Sequence, residues 1–236
     1  MLRRIGITFR SAFLWAGGWI VFLLGAVIVV PATFFLSGPR LYRMIQPWCR
    51  LLLRAVGIRV ELAGEFPELS GKPTILIVPH VSVFDPVVIG AVMPYHVPGV
   101  ELDTHFSWPL YGRIIRALRH FPLSHSTPLK SRETLRAAED HLQAGGSLVV
   151  FPEGRRTRSG QRGEFGLWTF RLAATAEATV YPIRFEGAYE RHRTEGFDII
   201  PGVWRVRILE PQRAMGSDRT ATIALRDSVA RSIDTP

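Results

Sequence analysis

Cysteine and the common catalytic motifs are nearly absent from this chain. Its 236 residues include one cysteine, Cys49, so an internal disulfide framework is excluded. Cys49 stands in an apolar, basic segment without a neighbouring histidine, which argues against a role as a nucleophile. The sequence has no Gly-x-Ser-x-Gly elbow, no Walker loop and no His-Glu-x-x-His helix, and its histidines do not cluster as metal ligands do. We therefore predict neither a metal ion nor a bound cofactor.

Negative charge is missing from residues 1–60, which contain eight arginines and no acidic residue, although the whole chain carries a formal charge of +9. The first acidic residue is Glu61. Basic charge combined with long apolar runs is typical of a segment that binds an anionic bilayer surface. No nucleic-acid-binding motif is present. We therefore predict a lipid bilayer as a partner, and no nucleic acid.

A long uncharged run extends from Ser11 to Pro39, and residues 13–36 are almost all apolar. Such a run is long enough to cross the hydrocarbon core of a bilayer as a helix. A secretory signal peptide is the alternative, but its apolar region is normally shorter, and no small-x-small cleavage site is convincing here. Arginines flank both ends, which leaves the orientation open and also suits a hairpin or tilted helix in one leaflet. Membrane attachment is predicted, and spanning is left open.

Residues 41–56 have the periodicity of an amphipathic helix. Its apolar stripe consists of Leu41, Ile45, Trp48, Leu52 and Val56. The pattern suits a helix that packs on a protein core and a helix that lies at a membrane interface equally well. Gly57 is expected to end the helix. We therefore divide the chain into a membrane-binding helical segment, residues 1–57, and an α/β domain, residues 58–236.

His80 and Asp85 lie at the predicted junction of a strand and a helix. The run Thr74–Val78 is apolar and rich in β-branched residues, which is typical of a buried strand. Pro86 and the apolar residues 87–93 predict a short helix with proline at its first position. Ligand crevices in open α/β sheets lie outside the carboxyl ends of strands. A histidine there, with a carboxylate to fix its tautomer, forms the base and orienting group of a catalytic triad.

Simpler interpretations of this pair stay open on these residues alone, because Asp85 also suits a helix N-cap. A second apolar strand, residues 147–152, opens into Glu153-Gly154-Arg155-Arg156. Glycine lets backbone approach a ligand closely, and arginine offers forked donors suited to phosphate.

Further strands are predicted at 58–62, 179–185 and 202–211, and helices at 113–118, 127–145, 170–173 and 221–233.

The His-x4-Asp of His80 and Asp85, followed by the Phe-Pro-Glu-Gly-x-Arg of residues 151–156, resembles the PlsC-like glycerolipid (lysophosphatidic acid) acyltransferase family. Pro109 and Gly112 resemble the second motif of that family. The resemblance implies an α/β fold in which a mixed sheet is flanked by helices and preceded by a membrane helix or hairpin. It also implies a bacterial inner membrane location with the active site at the cytoplasmic face.

The implied reaction moves a fatty acyl group from acyl-CoA or acyl-carrier protein to the free hydroxyl of a lysophospholipid, most simply lysophosphatidic acid. His80 is then the general base, Asp85 holds its ring, and Ser82 is not needed as a nucleophile because the acceptor hydroxyl attacks. The substrate-binding residues implied are Phe151, Pro152, Glu153, Gly154, Arg156, Pro109, Gly112 and Pro182. Arg156 is expected to contact the acceptor phosphate. Pro182 also fits a core strand shaped by proline.

Two positions depart from the family pattern. His125 replaces an arginine and Gly166 replaces a lysine, and the arginine is associated with the acceptor phosphate. A neutral imidazole is a weaker phosphate partner than a guanidinium. Two alternatives therefore stay open: the same reaction on another lysolipid, such as an amino-acid lysolipid, and a catalytically silent membrane scaffold. The presence of both complete motifs argues against the scaffold.

Overall fold

A computed structural model describes residues 2–69 and 71–235, and the side chains of residues 2–5, which include Arg3 and Arg4, lie outside that description. The helices are α1 (Leu2–Ala32), α2 (Gly38–Ala55), α3 (Asp85–Val92), α4 (Tyr111–Ala117), α5 (Pro128–Gln143), α6 (Leu167–Thr175), α7 (Ala188–Arg191) and α8 (Arg219–Asp234). The strands are β1 (Ile58–Ala63), β2 (Thr74–Ile77), β3 (Val100–Leu102), β4 (Phe121–Leu123), β5 (Ser147–Val150), β6 (Thr179–Glu186) and β7 (Gly202–Ile208). A 3₁₀ turn, Asp103–Ser107, precedes α4.

The main sheet has five strands in the order β1-β7-β6-β2-β5. All neighbours are parallel except β6 and β7, which pair antiparallel, so the predicted mixed sheet is confirmed. The alternating strand β1 lies at one edge. Strands β3 and β4 form a small parallel pair that continues from an isolated bridge between Gly99 and Val149 of β5.

Helices cover both faces of the sheet, as predicted. Successive side chains of β2 point to opposite faces. Leu76 therefore joins the core that α2 and α3 cover, and Ile77 joins the core that α5, α6 and α8 cover. Both residues have no exposed surface. Because both faces are buried, β2 is apolar throughout, which is why its sequence shows no alternation.

Helices α1 and α2 pack against each other as a hairpin, and α2 packs on the protein core through Leu53, which is 2% exposed, and Val56, which is fully buried. The core-facing alternative for α2 is therefore observed, and its arginines stay on the surface. Gly57 ends the turn after it with a φ of 74°, as expected. The division of the chain at residue 57 stays a prediction, because α2 and the sheet share one core.

Helix α2 also fixes the end of α3. The Tyr42 hydroxyl donates to the carbonyls of Gly90 and Met93, at 3.0 and 2.8 Å. The Gln46 amide donates to the Met93 carbonyl at 2.7 Å, and Arg50 Nε donates to the Ala91 carbonyl at 2.9 Å. These donors satisfy carbonyls that a helix leaves unpaired at its carboxyl end. The hairpin thus holds the helix that begins at Asp85.

Among the described residues, one segment, Gly6–Ala32 of α1, is long and apolar enough to cross a membrane, by length and composition alone. One side of α1 docks on the loop between α7 and β7: Trp15 Nε1 donates to the Phe197 carbonyl at 2.8 Å, and Ser11 Oγ accepts the Ile199 amide at 3.0 Å. Near its other end, Val29 is buried against α2 and α4. The opposite side exposes Phe9, Phe13, Trp19, Ile20, Leu23, Leu24, Val27 and Ile28.

Candidate active site

His80 and Asp85 form a hydrogen-bonded pair where β2 leaves the sheet. Asp85 Oδ2 lies 2.6 Å from His80 Nδ1. The same carboxylate accepts the amides of Val81 and Ser82, at 2.7 and 3.0 Å. It binds amides of the loop before α3 and not those of the helix, so the N-cap interpretation of Asp85 is wrong. The carboxylate shapes the loop that carries the histidine.

The pair has a defined electrostatic arrangement. Asp85 is fully buried, and burial raises its pKa, while the hydrogen bonds from His80 and the two amides oppose that rise because they favour the charged form. A carboxylate can only accept a hydrogen bond, so the proton of the neutral imidazole is on Nδ1. His80 Nε2 has no hydrogen-bond partner among residues 2–69 and 71–235 and keeps a free lone pair. The His80 side chain is 18% exposed.

The Phe-Pro-Glu-Gly-x-Arg motif of residues 151–156 packs directly on the His80 motif. Strands β2 and β5 are parallel neighbours with Ile77 opposite Val150, so the residues that follow each strand meet at one edge. The Phe151 ring lies 4.6 Å from the His80 ring, centroid to centroid. The Thr157 amide donates to the His80 carbonyl at 2.9 Å. Pro152 is buried behind the loop, and its carbonyl accepts the Gly166 amide at 2.9 Å.

Glu153 contacts the histidine loop in this structure. Its Oε1 accepts the His80 amide at 3.3 Å, and its Oε2 is buried without a partner among the described residues. Burial raises the pKa of Glu153 to about 7. The expectation that Glu153 positions the acceptor stays a prediction, and the contact observed is with the backbone of the proposed base.

Arg156 is an exposed cation near the site. Burial lowers the pKa of His192 and raises that of Tyr111, and the charge of Arg156 adds to the first shift and opposes the second. Within the part of the chain that the structure describes, no hydrogen bond or ion pair engages its guanidinium. In contrast, Arg158 pairs with Glu195 at 2.8 Å, whereas Arg155 is exposed, as Arg156 is.

Gly154 and His125 are neighbours. Gly154 has a φ of 67°, a left-handed conformation that favours glycine. A Cβ at this position would lie 4.0 Å from His125 Cε1. The residue that replaces the second-motif arginine therefore lies beside the Glu-Gly-x-Arg loop, whereas Gly166 sits at the start of α6, next to Pro152.

Pro109, Gly112 and Pro182 have structural surroundings. Pro109 is exposed before α4. Gly112 is buried with its Cα against the carbonyls of His105 and Phe106, where a side chain would clash. Pro182 is buried in β6 opposite Ile77, in agreement with the core-strand alternative. Substrate contacts of these three residues stay predictions.

Three features of the site carry no signal in the sequence. Ser82 Oγ, fully buried, lies 3.0 Å from Nδ1 of His192, so its hydroxyl is turned away from solvent. Thr194 Oγ1 donates to the Val81 carbonyl at 2.9 Å. The Trp15 ring of α1 packs at 5.6 Å from Phe84 and 5.5 Å from His192. Each contact joins segments more than 60 positions apart, which no local pattern reports.

A narrow apolar cavity of about 220 Å³ opens beside the pair. Pro86, Val87 and Phe151 line it near His80, and side chains of α1, α2 and α4 enclose the remainder. No group of three His, Cys, Asp or Glu side chains in residues 2–69 and 71–235 is arranged to hold a metal ion. The lining suits an apolar ligand that reaches Phe151, the neighbour of His80.

The site therefore combines a hydrogen-bonded histidine–carboxylate pair with an adjoining apolar cavity. The Acyltransferase family model matches residues 43–186, and the chain belongs to this family. It is 26% identical over 220 residues to a 1-acyl-sn-glycerol-3-phosphate acyltransferase of Pseudomonas aeruginosa, covering 91% of this chain and 81% of that protein. Its relatives identify it as an acyltransferase.

One further relative in sequence and one solved structure are also similar to this chain. A lysophosphatidylcholine acyltransferase 2 of Danio rerio is 27% identical over 158 residues, which cover 58% of this chain and 29% of that protein. The crystal structure of the 1-acyl-sn-glycerophosphate acyltransferase PlsC from Thermotoga maritima matches with a TM-score of 0.75 at 20% identity, over 98% of this chain and 96% of that one. The second likeness shows the fold.

Proposed function

We propose that this enzyme is membrane-bound and transfers a fatty acyl group from an acyl thioester to the free hydroxyl of a lysophospholipid, most simply lysophosphatidic acid. The donor is acyl-CoA or acyl-carrier protein. The observation that carries the proposal is the His80–Asp85 pair, with a free Nε2, packed on Phe151 of the cavity wall.

His80 acts as the general base. The acceptor hydroxyl donates to Nε2 and loses its proton to it as the hydroxyl oxygen attacks the thioester carbonyl. The new C–O bond forms, the C–S bond breaks, and the proton passes from His80 to the departing thiolate. The buried Asp85 carboxylate stabilises the transient imidazolium and keeps Nε2 aimed at the hydroxyl.

The fatty acyl chain occupies the apolar cavity. Each methylene removed from water contributes roughly 0.8 kcal/mol. A chain in this cavity is fixed with its carbonyl beside Phe151 and His80, so the binding energy of the chain also positions the reacting carbon. The walls that come from α1 and α2 make the hairpin part of the binding site.

Arg156 binds the phosphate of the acceptor. Its guanidinium is unpaired within the described residues and lies near Tyr111 and His192, which flank the site. A guanidinium offers two parallel donors to phosphate, and charge-assisted hydrogen bonds of this kind are about twice as strong as neutral ones. Because Arg158 is paired with Glu195, it does not replace the second-motif arginine.

Helix α1 lies along the membrane surface in one leaflet. Ser11 and Val29 both contact the catalytic domain, and about 27 Å of helix separates them at 1.5 Å per residue. A helix docked over that length cannot stand across the bilayer. Its free side presents Phe9 and Phe13, 80% and 79% exposed, as an interfacial helix does.

A second candidate keeps the reaction and changes the acceptor to a lysolipid with a different head group, such as an amino-acid lysolipid. His125 beside Gly154 favours it, because an imidazole there is a weaker phosphate partner than arginine. The Danio rerio relative is named for a different lysolipid, lysophosphatidylcholine.

The direct test offers palmitoyl-CoA or palmitoyl-acyl-carrier protein to the full chain in detergent micelles, with lysophosphatidic acid, lysophosphatidylcholine and an amino-acid lysolipid as separate acceptors. Thiol release and the diacyl product are measured together. We expect highest turnover with lysophosphatidic acid. Faster turnover with the amino-acid lysolipid would select the second candidate, and folded protein that consumes no thioester with any acceptor would overturn both.

A further inference from the structure

Two histidines interrupt the apolar wall of the cavity. His96 and His120 both line it, and His96 lies close enough to His120 to add to the lowering of its pKa that burial causes. Burial lowers the pKa of both, to about 3 for His120, so both rings are neutral at physiological pH. They play no part in the transfer step described above. Glu101, Tyr42 and Tyr111 also line the cavity, but their polar groups have partners within the protein. The unpaired ring nitrogens of the two histidines need a reason, because unpaired buried polar groups are costly.

The tautomer of His96 is fixed by its hydrogen bond. Its Nε2 lies 2.9 Å from the Leu118 carbonyl, which can only accept, so the proton is on Nε2. The lone pair of its Nδ1 is therefore free to accept. No group among residues 2–69 and 71–235 donates to it.

His120 offers a hydrogen-bond donor, whereas His96 offers an acceptor. Its Nδ1 is buried without a partner and faces the Cα of Gly99, since a Cβ there would lie 2.9 Å from it. A proton on Nδ1 would point at carbon, so the neutral ring carries its proton on Nε2. No side chain or carbonyl in the described part of the chain accepts from Nε2. His120 thus offers a donor where His96 offers an acceptor.

We propose that His96 and His120 form a subsite for a hydroxyl group on the fatty acyl chain, so that the enzyme prefers hydroxylated acyl thioesters. A hydroxyl is the group that both donates one hydrogen bond and accepts another at one atom. It can donate to His96 Nδ1 and accept from His120 Nε2–H. A ketone could satisfy only His120, and a methylene neither. The proposal rests on the proposed function, because the cavity must hold the acyl chain.

The subsite lies beyond the first carbons of the chain. Gly99, which contacts His120, bridges to Val149, and Val149 precedes Phe151 by two strand residues, or about 7 Å. Phe151 packs on His80, where the thioester carbonyl reacts. The favoured hydroxyl therefore stands several carbons from the carbonyl, and hydroxyls on the second or third carbon should give no advantage.

The test compares palmitoyl-CoA with hydroxypalmitoyl-CoA isomers whose hydroxyl is stepped along the chain, using the full chain and one acceptor. We expect kcat/KM to be about 5- to 30-fold higher for one short stretch of mid-chain positions, as one or two kcal/mol of net hydrogen bonding would give. Palmitoyl transfer with no preference at any position overturns the subsite and leaves the proposed function standing. No transfer from any thioester overturns the proposed function and this inference with it.

Two variants locate the preference. His120→Phe and His96→Phe keep a ring of similar size and remove the donor or the acceptor, so each should bring the ratio of hydroxypalmitoyl to palmitoyl transfer close to one. His120→Asn keeps an N–H donor and should retain part of the ratio. Ile114→Val, on the same cavity wall, should leave the ratio unchanged. A ratio that survives both phenylalanine variants overturns the assignment, and because each ratio is internal to one protein, partial loss of folding does not affect it.

Discussion

Glu153 Oε1 accepts a hydrogen bond from the backbone amide of His80 at 3.3 Å. The motif of residues 151–156 thus holds the residue that we propose as the base. The contact crosses from the end of β5 to the end of β2, which are parallel neighbours. It makes the two motifs one structural unit. It also places a buried carboxyl, with Oε2 unpaired among the described residues, directly behind the histidine.

Glu153→Gln should change how stability depends on pH. The unfolded carboxyl ionises near 4.5, whereas burial raises the folded pKa to about 7. The folded wild type therefore loses stability as the pH rises from about 4.5 to 7, by about 1–3 kcal/mol, and the loss is complete above that range. The glutamine variant should lack this loss. Chemical denaturation at stepped pH measures it, with the exposed Glu164→Gln as control. Parallel pH curves for wild type and variant would contradict the buried titration.

Asp85→Asn should reduce acyl transfer by about 10²- to 10⁴-fold, because an amide neither stabilises an imidazolium nor fixes the required tautomer. The carboxylate binds no amide of α3, so a loss of activity cannot be assigned to a lost helix cap. The measurement is kcat at saturating acceptor, with Asp140→Asn on the exposed side of α5 as the matched control. Full activity in Asp85→Asn would mean that the carboxylate only shapes the loop.

Phe9→Ser combined with Phe13→Ser should weaken membrane binding without unfolding the protein, because both side chains are about four-fifths exposed. Each phenylalanine that leaves a bilayer loses roughly 1.5–3 kcal/mol of transfer free energy. We expect vesicle partitioning to fall by about 10²-fold or more. Met215→Ser, at a 99% exposed position remote in sequence from α1, is the control and should bind as wild type does. Unchanged partitioning of the double variant would place the membrane contact elsewhere.

His125→Arg should lower the KM for lysophosphatidic acid. His125 lies beside Gly154, so an arginine there reaches the loop that carries Arg156. One added charge-assisted hydrogen bond contributes roughly 1.5–3 kcal/mol, or about tenfold or more in KM. A lysolipid without phosphate, titrated in parallel, should gain nothing. If the wild type already saturates at micromolar lysophosphatidic acid and the substitution weakens it, the altered-headgroup idea is wrong.

Local patterns predicted much of this fold. The apolar run at β2, the alternation at β1 and the stripe of α2 each match the observed element within about three residues, because strand and helix periodicities are short-range properties. The pairing of His80 with Asp85 was also predictable, since five positions on one loop keep the two side chains within reach. The order of motifs along the chain then placed the arginine loop beside them.

Contacts between segments distant in the chain could not be predicted from the sequence. The docking of Trp15 on the Phe197 carbonyl joins positions 182 apart, and no periodicity encodes such a contact. The opposite polarities of His96 and His120 follow from one carbonyl and one glycine Cα that only the tertiary structure brings to them. The contact of Glu153 with the His80 amide joins positions 73 apart and was not predictable for the same reason.

Acyl transfer by His80→Ala tests the central claim most directly. The protein should retain its melting temperature, because the ring is 18% exposed and is not part of the hydrophobic core. Thiol release from palmitoyl-CoA with saturating lysophosphatidic acid should fall by about 10²- to 10⁴-fold, the contribution expected of a general base. Near-normal turnover in a folded His80→Ala protein would contradict the mechanism and remove His80 as the base.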